Sequence, residues 1–469
     1  MADFDLVVLG GGPGGYAAAL YAASTGLTVA MVEKEKVGGT CLHRGCIPAK
    51  ALLHAAEVFR TVSHAGEHGV KVSGTPEPDW PAANKRKAGI VSQLHRGLGG
   101  LLKRRKVTVV EGFGTLTPDG AVSVDGQTLR GKAVIICAGS VPRAIPGMDV
   151  DGVRVTTSDQ STNDTADKLP ERIAVIGGGV IGAEFASVYT DLGVDTTLLE
   201  ALPHGVLPIG PDRDCADVLA KSLKKRGTKI HSEARVGTLE HTDHGVVVPF
   251  ETPKGSEKIE VDQVLVSIGR RPVSDGMGLE DAGVRVDQRG FIEVDTNTML
   301  TSRPGVYAIG DCVGTPGLAH VAYAEAVLAV DHFLGDNPVP VDYGKVPWVV
   351  YTHPEVAWSG MTEAYAKEAG YDVEVHKHSL AGNGRALIVG EPEGMVKVIA
   401  EKTADGRAGR ILGVHMVGPW VTEQLGQGYL AVNWEATPDE TGHFIQPHPT
   451  LSETFGEAVL ALTGRGLHG

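Results

Sequence analysis

The sequence predicts an α/β fold: two parallel-sheet units, each wound around a glycine-rich turn, followed by a smaller α+β module. Three observations carry that reading. A strand, glycine turn, helix, strand pattern opens the chain, and the same pattern recurs from Ile173. Beyond residue 346, strand-like and helical segments continue without any such turn. At roughly 100–200 residues per domain, 469 residues leave room for three or four domains.

The first unit begins with the apolar strand Leu6-Val7-Val8-Leu9, then Gly10-x-Gly12-x-x-Gly15. An Ala-rich helix over Tyr16–Ala23 follows, and a second strand over Leu27–Val32 ends in the acid Glu33. The three glycines serve a tight turn, backbone approach to a pyrophosphate, and close helix–strand packing. The helix N-terminus offers free N–H groups to the phosphates, and Glu33 suits a ribose hydroxyl pair. One such fingerprint is a weak signal. The second copy changes its weight: strand Ile173–Ile176, Gly177-x-Gly179-x-x-Gly182, an apolar helix, and strand Thr196–Leu199 ending in Glu200. The spacing from first glycine to acid is the same in both copies. The pair predicts two Rossmann-like dinucleotide-binding domains, one for a flavin and one for a nicotinamide, with electrons passing between them.

Between the two units, Pro142–Pro170 is rich in Asp, Thr and Ser and predicts a crossover. Val264–Ile268 reads as a strand ended by Arg271-Pro272, and Pro338–Pro347 as a linker. Val349–Trp358, Met395–Ala400 and Ile411–Val417 read as strands, with helices near Glu363–Glu368 and Thr422–Trp434. The expected division is 1–150, 151–275, a central segment 276–345 completing the first site, and an interface module over 346–469.

Composition narrows the function. With 43 Lys and Arg against 57 Asp and Glu, the formal charge of −14 disfavours nucleic acid or an anionic membrane as the main partner. The uncharged run Leu6–Ala23 has a spanning length, but its clustered glycines and Pro13 break any uninterrupted helix. The N-terminal Met-Ala-Asp-Phe-Asp lacks the positive region of a signal peptide, so a cytoplasmic setting is expected. Five cysteines are too few for a disulfide scaffold.

Two of those cysteines are close together, in Gly39-Thr40-Cys41-Leu42-His43-Arg44-Gly45-Cys46-Ile47-Pro48-Ala49-Lys50. They could be ordinary buried thiols, half of a metal site, or a redox pair. A zinc site has tighter cysteine spacing and two further ligands, and no second cysteine pair exists. In a regular helix, residues five apart have Cα atoms about 8–9 Å apart, beyond the roughly 7 Å a disulfide spans. Bridging therefore requires the backbone near Gly45 to leave the helix. An adjacent flavin makes bridging attractive, since a dithiol needs a two-electron carrier beside it.

This block resembles the redox-active disulfide of the pyridine nucleotide–disulfide oxidoreductases, and most of all the branch that oxidises dihydrolipoamide. Further matches run in family order: Cys137-Ala138-Gly139-Ser140, Ile268-Gly269-Arg270-Arg271-Pro272, Tyr307-Ala308-Ile309-Gly310-Asp311, Leu318-Ala319-His320, Tyr351-Thr352-His353-Pro354-Glu355 and His448-Pro449-Thr450-Leu451-Ser452-Glu453. The resemblance implies that Cys41 meets the substrate, Cys46 faces the flavin, and Lys50 pairs with Glu184 near the flavin ring. It implies that His448, oriented by Glu453, is the acid–base, and that it serves the other subunit of a homodimer. Thr40, Lys50, Gly114, Gly139, Asp311 and Ala319 would join Gly10, Gly12, Gly15 and Glu33 in holding FAD. Gly269 would join Gly177, Gly179, Gly182 and Glu200 in holding NAD, and no metal is expected. The implied reaction is oxidation of protein-bound dihydrolipoamide with reduction of NAD⁺. The implied partners are lipoyl domains of 2-oxoacid dehydrogenase or glycine cleavage complexes.

The chain departs from the family in four places. His43-Arg44 stands where Asn-Val is usual, Gln446 where His is usual, Ala138 for Thr, and Ala326 for the Gly after Glu325. Reductases of glutathione- or mycothiol-type disulfides remain alternatives, as does a noncatalytic flavoprotein. Mercuric and large thioredoxin reductases are disfavoured, because no cysteine follows Cys312.

Overall fold

The computed structural model describes residues 3–163 and 166–468, so Met1, Ala2, Asp164, Thr165 and Gly469 lie outside the described residues. Its first sheet has seven strands, in the spatial order Val294–Asp295, Leu300–Thr301, Val306–Ala308, Gly131–Ile136, Phe4–Leu9, Val29–Glu33, Thr108–Glu111. The last five pair in parallel. Leu6 to Leu9 occupy the middle and are buried, as an unbroken apolar run in a parallel sheet must be. Helix Pro13–Ser24 packs on this sheet. So does a three-stranded antiparallel sheet, Gly114–Leu116, Val122–Val124 and Gln127–Leu129. Gly114 is the point of contact: a Cβ there would stand 2.4 Å from Leu9 Cδ1.

The second sheet repeats the plan. Its five parallel strands run Lys229–His231, Asp195–Leu199, Arg172–Ile176, Gln263–Val266, Val155–Thr157. In each sheet the fingerprint strand is central, the acid-bearing strand lies on one side and a returning strand on the other. The fifth strand differs in origin. In the second sheet it precedes the fingerprint, within the Pro142–Pro170 crossover. In the first it is Val306–Ala308, far downstream.

The C-terminal module is a five-stranded antiparallel sheet, Trp348–Val350, Glu355–Gly360, Ala408–Gly418, Met395–Lys402, Val373–Ser379. Helices Val421–Asn433 and Glu453–Leu462 pack on it through Val421, Leu425, Phe455 and Val459. The expected single strand Val349–Trp358 is instead a hairpin, with Val349 opposite Ala357 and the Trp348 and Trp358 rings stacked at 5.5 Å. Pro354 cannot donate to a ladder, and Thr352 Oγ1 donates to Pro354 O at 2.7 Å to close the turn. Among the described residues, no helix is long and apolar enough to cross a membrane.

Candidate active site

The two cysteines meet because the helix between them fails at one residue. Gly39–Arg44 is a short helix ending at Gly45, whose φ of −130° and ψ of −114° are not helical, and Cys46 opens the helix Cys46–Ser63. Gly45 lies so tightly under the turn that a Cβ would be 3.0 Å from Thr40 O. The break places the two thiols in hydrogen-bond contact, unbridged in this structure. The pair is polarised. The hydrogen bond from Cys41 holds Cys46 below the ordinary thiol range, to about 7, against burial and with help from the Lys50 ammonium. The same bond, together with burial, pushes Cys41 up. The position at a helix N-terminus also favours a thiolate at Cys46.

Lys50 lies one turn further along that helix and donates to both oxygens of Glu184, at 2.9 and 2.8 Å. Burial opposes the ammonium, but Glu184 raises Lys50 overall, so it stays charged beside Cys46. Glu184 itself is buried on helix Val180–Asp191, so the second fingerprint's helix supplies the counter-ion for the first unit's lysine.

Both cysteines, Lys50 and Glu184 line a cavity of about 1120 Å³, together with Gly10, Gly12, Glu33, Thr40, Gly114, Gly139, Asp311 and Ala319. This exceeds the roughly 300–1,000 Å³ of drug-sized sites and suits a dinucleotide. Its parts fit FAD. Helix Pro13–Ser24 has no side-chain cap, leaving its first N–H groups for phosphate oxygens. A Cβ on Gly12 would point into the gap before Gly39, at 4.0 Å from its Cα. Gly15 packs underneath, where a Cβ would stand 1.8 Å from Gly10 O. Glu33 accepts from Gly11 N at 2.7 Å and from Glu35 N at 2.8 Å, which fixes the carboxylate while leaving lone pairs for a ribose. At the other end, Asp311 accepts from Ser140 Oγ at 2.5 Å. Arg270 donates to Ser140 Oγ and O, each at 2.7 Å.

The second fingerprint is built alike; its three glycines do not line this cavity, although Val180 and Ile181 between them do. A Cβ on Gly182 would stand 1.8 Å from Gly177 O, while the side of Gly179 is open. Glu200 accepts from Gly178 N at 2.6 Å and Leu202 N at 2.7 Å. Helix Val180–Asp191 again lacks a side-chain cap. Gly269, at φ +104°, also faces open space. These residues fit a second dinucleotide, NAD.

His448 is not brought to the cysteines of its own chain. It does not line the cavity, its side chain is 78% exposed, and it donates from Nδ1 to Glu453 Oε1 at 2.8 Å. Thr450 N donates to the other carboxylate oxygen at 2.7 Å. Burial pulls the other way, but these two donors hold Glu453 below the usual carboxylate range. Nδ1 is thereby committed to Glu453, and Nε2 is the ring nitrogen outside this pair.

This geometry has known relatives. Residues 4–326 match the model of the pyridine nucleotide-disulphide oxidoreductases, and residues 346–459 match the dimerisation domain of the same family. The chain belongs to this family. It is 41% identical to a dihydrolipoyl dehydrogenase of Bacillus subtilis, covering 99% of each chain. It is 42% identical to that of Thermus scotoductus, covering 100% of this chain and 99% of the other. Among solved structures, LpdA from Mycobacterium tuberculosis superposes with a TM-score of 0.88 at 29% identity, over 97% of this chain and 99% of that one.

Within a pyridine nucleotide-disulphide oxidoreductase, three of the four departures noted in the sequence have local surroundings that accommodate them, and nothing in the structure explains Ala138. His43 Nε2 and His95 Nδ1 both donate to Val37 O, at 2.9 and 3.1 Å, with the rings edge-to-face at 5.1 Å. Burial lowers His43, which keeps the imidazole neutral. The Arg44 charge is met by Glu35 at 2.7 Å and Asp159 at 3.6 Å. Ala326 is fully buried in the first unit's core, and Gln446 donates to Gln427 at 3.2 Å. Three contributors went unassigned in the sequence: Tyr351, the Arg270–Ser140 pair, and His95. His95 lies in none of the matched motifs; Tyr351, Arg270 and Ser140 lie within them, but their partners are distant in the chain, so the motifs alone assign them no role.

Proposed function

We propose that this chain is a dihydrolipoamide dehydrogenase: it oxidises protein-bound dihydrolipoamide to lipoamide, with NAD⁺ as final acceptor and FAD as intermediary. The observation that carries the reading is the cysteine pair brought together at the Gly45 helix break, beside the Lys50–Glu184 ion pair and at the wall of a flavin-sized cavity. Full-length relatives named for this activity support it.

The residues act as follows. In the oxidised enzyme Cys41 and Cys46 are bonded to each other. His448 of the partner subunit takes a proton from one thiol of dihydrolipoamide, and that sulfur attacks Cys41 Sγ. The Cys41–Cys46 bond breaks and Cys46 leaves as a thiolate, which the Lys50 ammonium favours. The second substrate sulfur then displaces Cys41, which takes up that thiol's proton, and oxidised lipoamide departs. Two electrons now reside on the cysteine pair, one proton on Cys41 and one on His448. FAD, when bound, supplies two-electron carriage from this dithiol to NAD⁺. Glu453 keeps the His448 imidazole oriented, and the glycine fingerprints with Glu33 and Glu200 orient the two nucleotides.

The chain acts as a homodimer, as the match to the family's dimerisation domain indicates. Its partners in this reading are lipoyl domains of 2-oxoacid dehydrogenase or glycine cleavage complexes, in the cytoplasm. The test is a side-by-side rate comparison of dihydrolipoamide with NAD⁺, glutathione disulfide with NADPH, and a mycothiol disulfide with NADPH. The first pair should exceed the others by about a hundredfold or more. A faster rate with either disulfide would replace this reading.

A further inference from the structure

Lys50 sits in a box of three walls. Glu184 closes one side through its two hydrogen bonds, and Cys46 lies on another. The third is Tyr351, whose ring centroid is 5.1 Å from Lys50 Nζ and which also lines the large cavity. Tyr351 comes from neither nucleotide domain. It follows strand Trp348–Val350, the first strand of the dimerisation module. Its backbone N–H donates to Glu184 Oε1 at 3.0 Å, the same oxygen that accepts from Lys50. Two residues on, His353 N donates to Ser187 Oγ at 3.1 Å, one helical turn beyond Glu184. The module is thus registered on helix Val180–Asp191 by two backbone bonds, and that register sets the tyrosine ring over the ammonium.

We propose that Tyr351 is a positioning residue for the reaction: through the face of its ring, the dimerisation module holds the Lys50 ammonium against Cys46. An ammonium over an aromatic face is attracted by the ring's quadrupole, more strongly where water is excluded. The ring also occupies space that water would otherwise fill, and water there would screen the attraction between Lys50 and Cys46. Loss of the ring therefore weakens the hold on the Cys46 thiolate while leaving the backbone bond to Glu184 in place. Within the chain, the charged and titratable groups facing Cys46 are Cys41, Lys50 and Glu184, with Tyr16 and Tyr323 beyond them, and in the proposed dimer His448 of the partner subunit faces the pair from the substrate side. None of these is altered by a change at Tyr351.

The inference rests on the roles assigned above to Cys46 and Lys50, and its test separates the two levels. FAD-loaded dimers are reduced anaerobically with a dithiol, and the long-wavelength thiolate–flavin absorbance is followed against pH. Wild type should show the band with a midpoint below the ordinary thiol range. In Tyr351→Leu the midpoint should rise by about half to one pH unit. Tyr351→Phe keeps the aromatic face and should leave the midpoint in place. A chain carrying trifluorophenylalanine at 351 keeps the ring's shape but weakens its negative face, so it should shift upward even if the leucine variant fails to fold. Unmoved midpoints in the leucine and fluorinated proteins would overturn the role of the ring, as would a Phe variant that shifts as far as Leu. A wild type without the band would overturn the cysteine assignment, and the ring's role with it.

Discussion

The two glycine fingerprints hold their loops with the same devices, yet only one leads into redox chemistry. In both, the last glycine packs under the first, and the terminal acid grips the loop's own backbone N–H. They diverge immediately after the acid. Behind Glu33 the chain enters the cysteine helix Gly39–Arg44, and Gly39 closes on Gly12. Behind Glu200 it makes a loop that folds back on the fingerprint: Leu207 N donates to Gly178 O at 2.8 Å, and a Cβ on Gly178 would meet Gly205 O at 1.9 Å. The duplicated cradle is thus generic for a dinucleotide. The segment after the acid determines whether the nucleotide meets a reactive sulfur pair or only arrives and leaves.

The sharpest way to break this contrast is at the sulfur. Cys46→Ser should lower lipoamide turnover by about a thousandfold or more while FAD content per chain stays at wild-type level. Steady-state assay with flavin absorbance checks both halves. Next is the shared packing glycine. Gly182→Ala places a methyl against Gly177 O, an overpacking cost of roughly 3 kcal/mol, so NAD⁺ affinity should fall about a hundredfold with FAD retained. Gly15→Ala should do the converse and empty the flavin site. Flavin absorbance and NAD⁺ titration distinguish the two. A smaller effect concerns His448, the proposed acid–base, which lies in neither unit. When Cys46→Ser and His448→Ala chains are co-folded in equal amounts, about half the dimers are mixed. Each mixed dimer has one intact site, so activity should recover to about a quarter of wild type. Verified mixed dimers without recovery would place His448 in its own chain's site. The mildest change is Glu200→Gln, which keeps an oxygen for the loop but loses the charge that opposes a 2′-phosphate. NAD⁺ affinity should drop about tenfold and the preference over NADP⁺ should narrow. Competition assays with both nucleotides read this directly.

Local pattern was sufficient where the structure is local. Both fingerprints, their strands and their acids lie within a few residues of where periodicity puts them, because an apolar run followed by a glycine turn is self-contained. Pattern failed for Val155–Thr157, a three-residue strand inside a segment whose Asp, Thr and Ser content reads as loop; only its pairing with Gln263–Val266 makes it a strand. It also merged the hairpin at Trp348–Gly360 into one strand, since residues on either side of Pro354 are equally apolar. In the site, a departure from helix near Gly45 is expected only on the condition that the two cysteines bridge, and the structure has that departure. The Lys50–Glu184 pair came through resemblance, because no spacing rule connects residues so far apart. Arg270, Ser140 and Tyr351 all lie in matched motifs, yet the pairings of Arg270 with Ser140 and of Tyr351 with Lys50 went unread for the same reason.

The downstream origin of strand Val306–Ala308 has a consequence for how the protein is made. Until that strand is synthesised, Gly131–Ile136 is the open edge of the first sheet, with unpaired backbone groups exposed to other chains. Asp311, which follows it, is the last acidic wall of the flavin cavity. On the ribosome the unit around the second fingerprint, whose five strands all lie between residues 155 and 266, can close first although it is encoded second. Closure of that cavity therefore waits for the chain to return, and the nascent protein carries an open sheet edge for the length of the intervening domain.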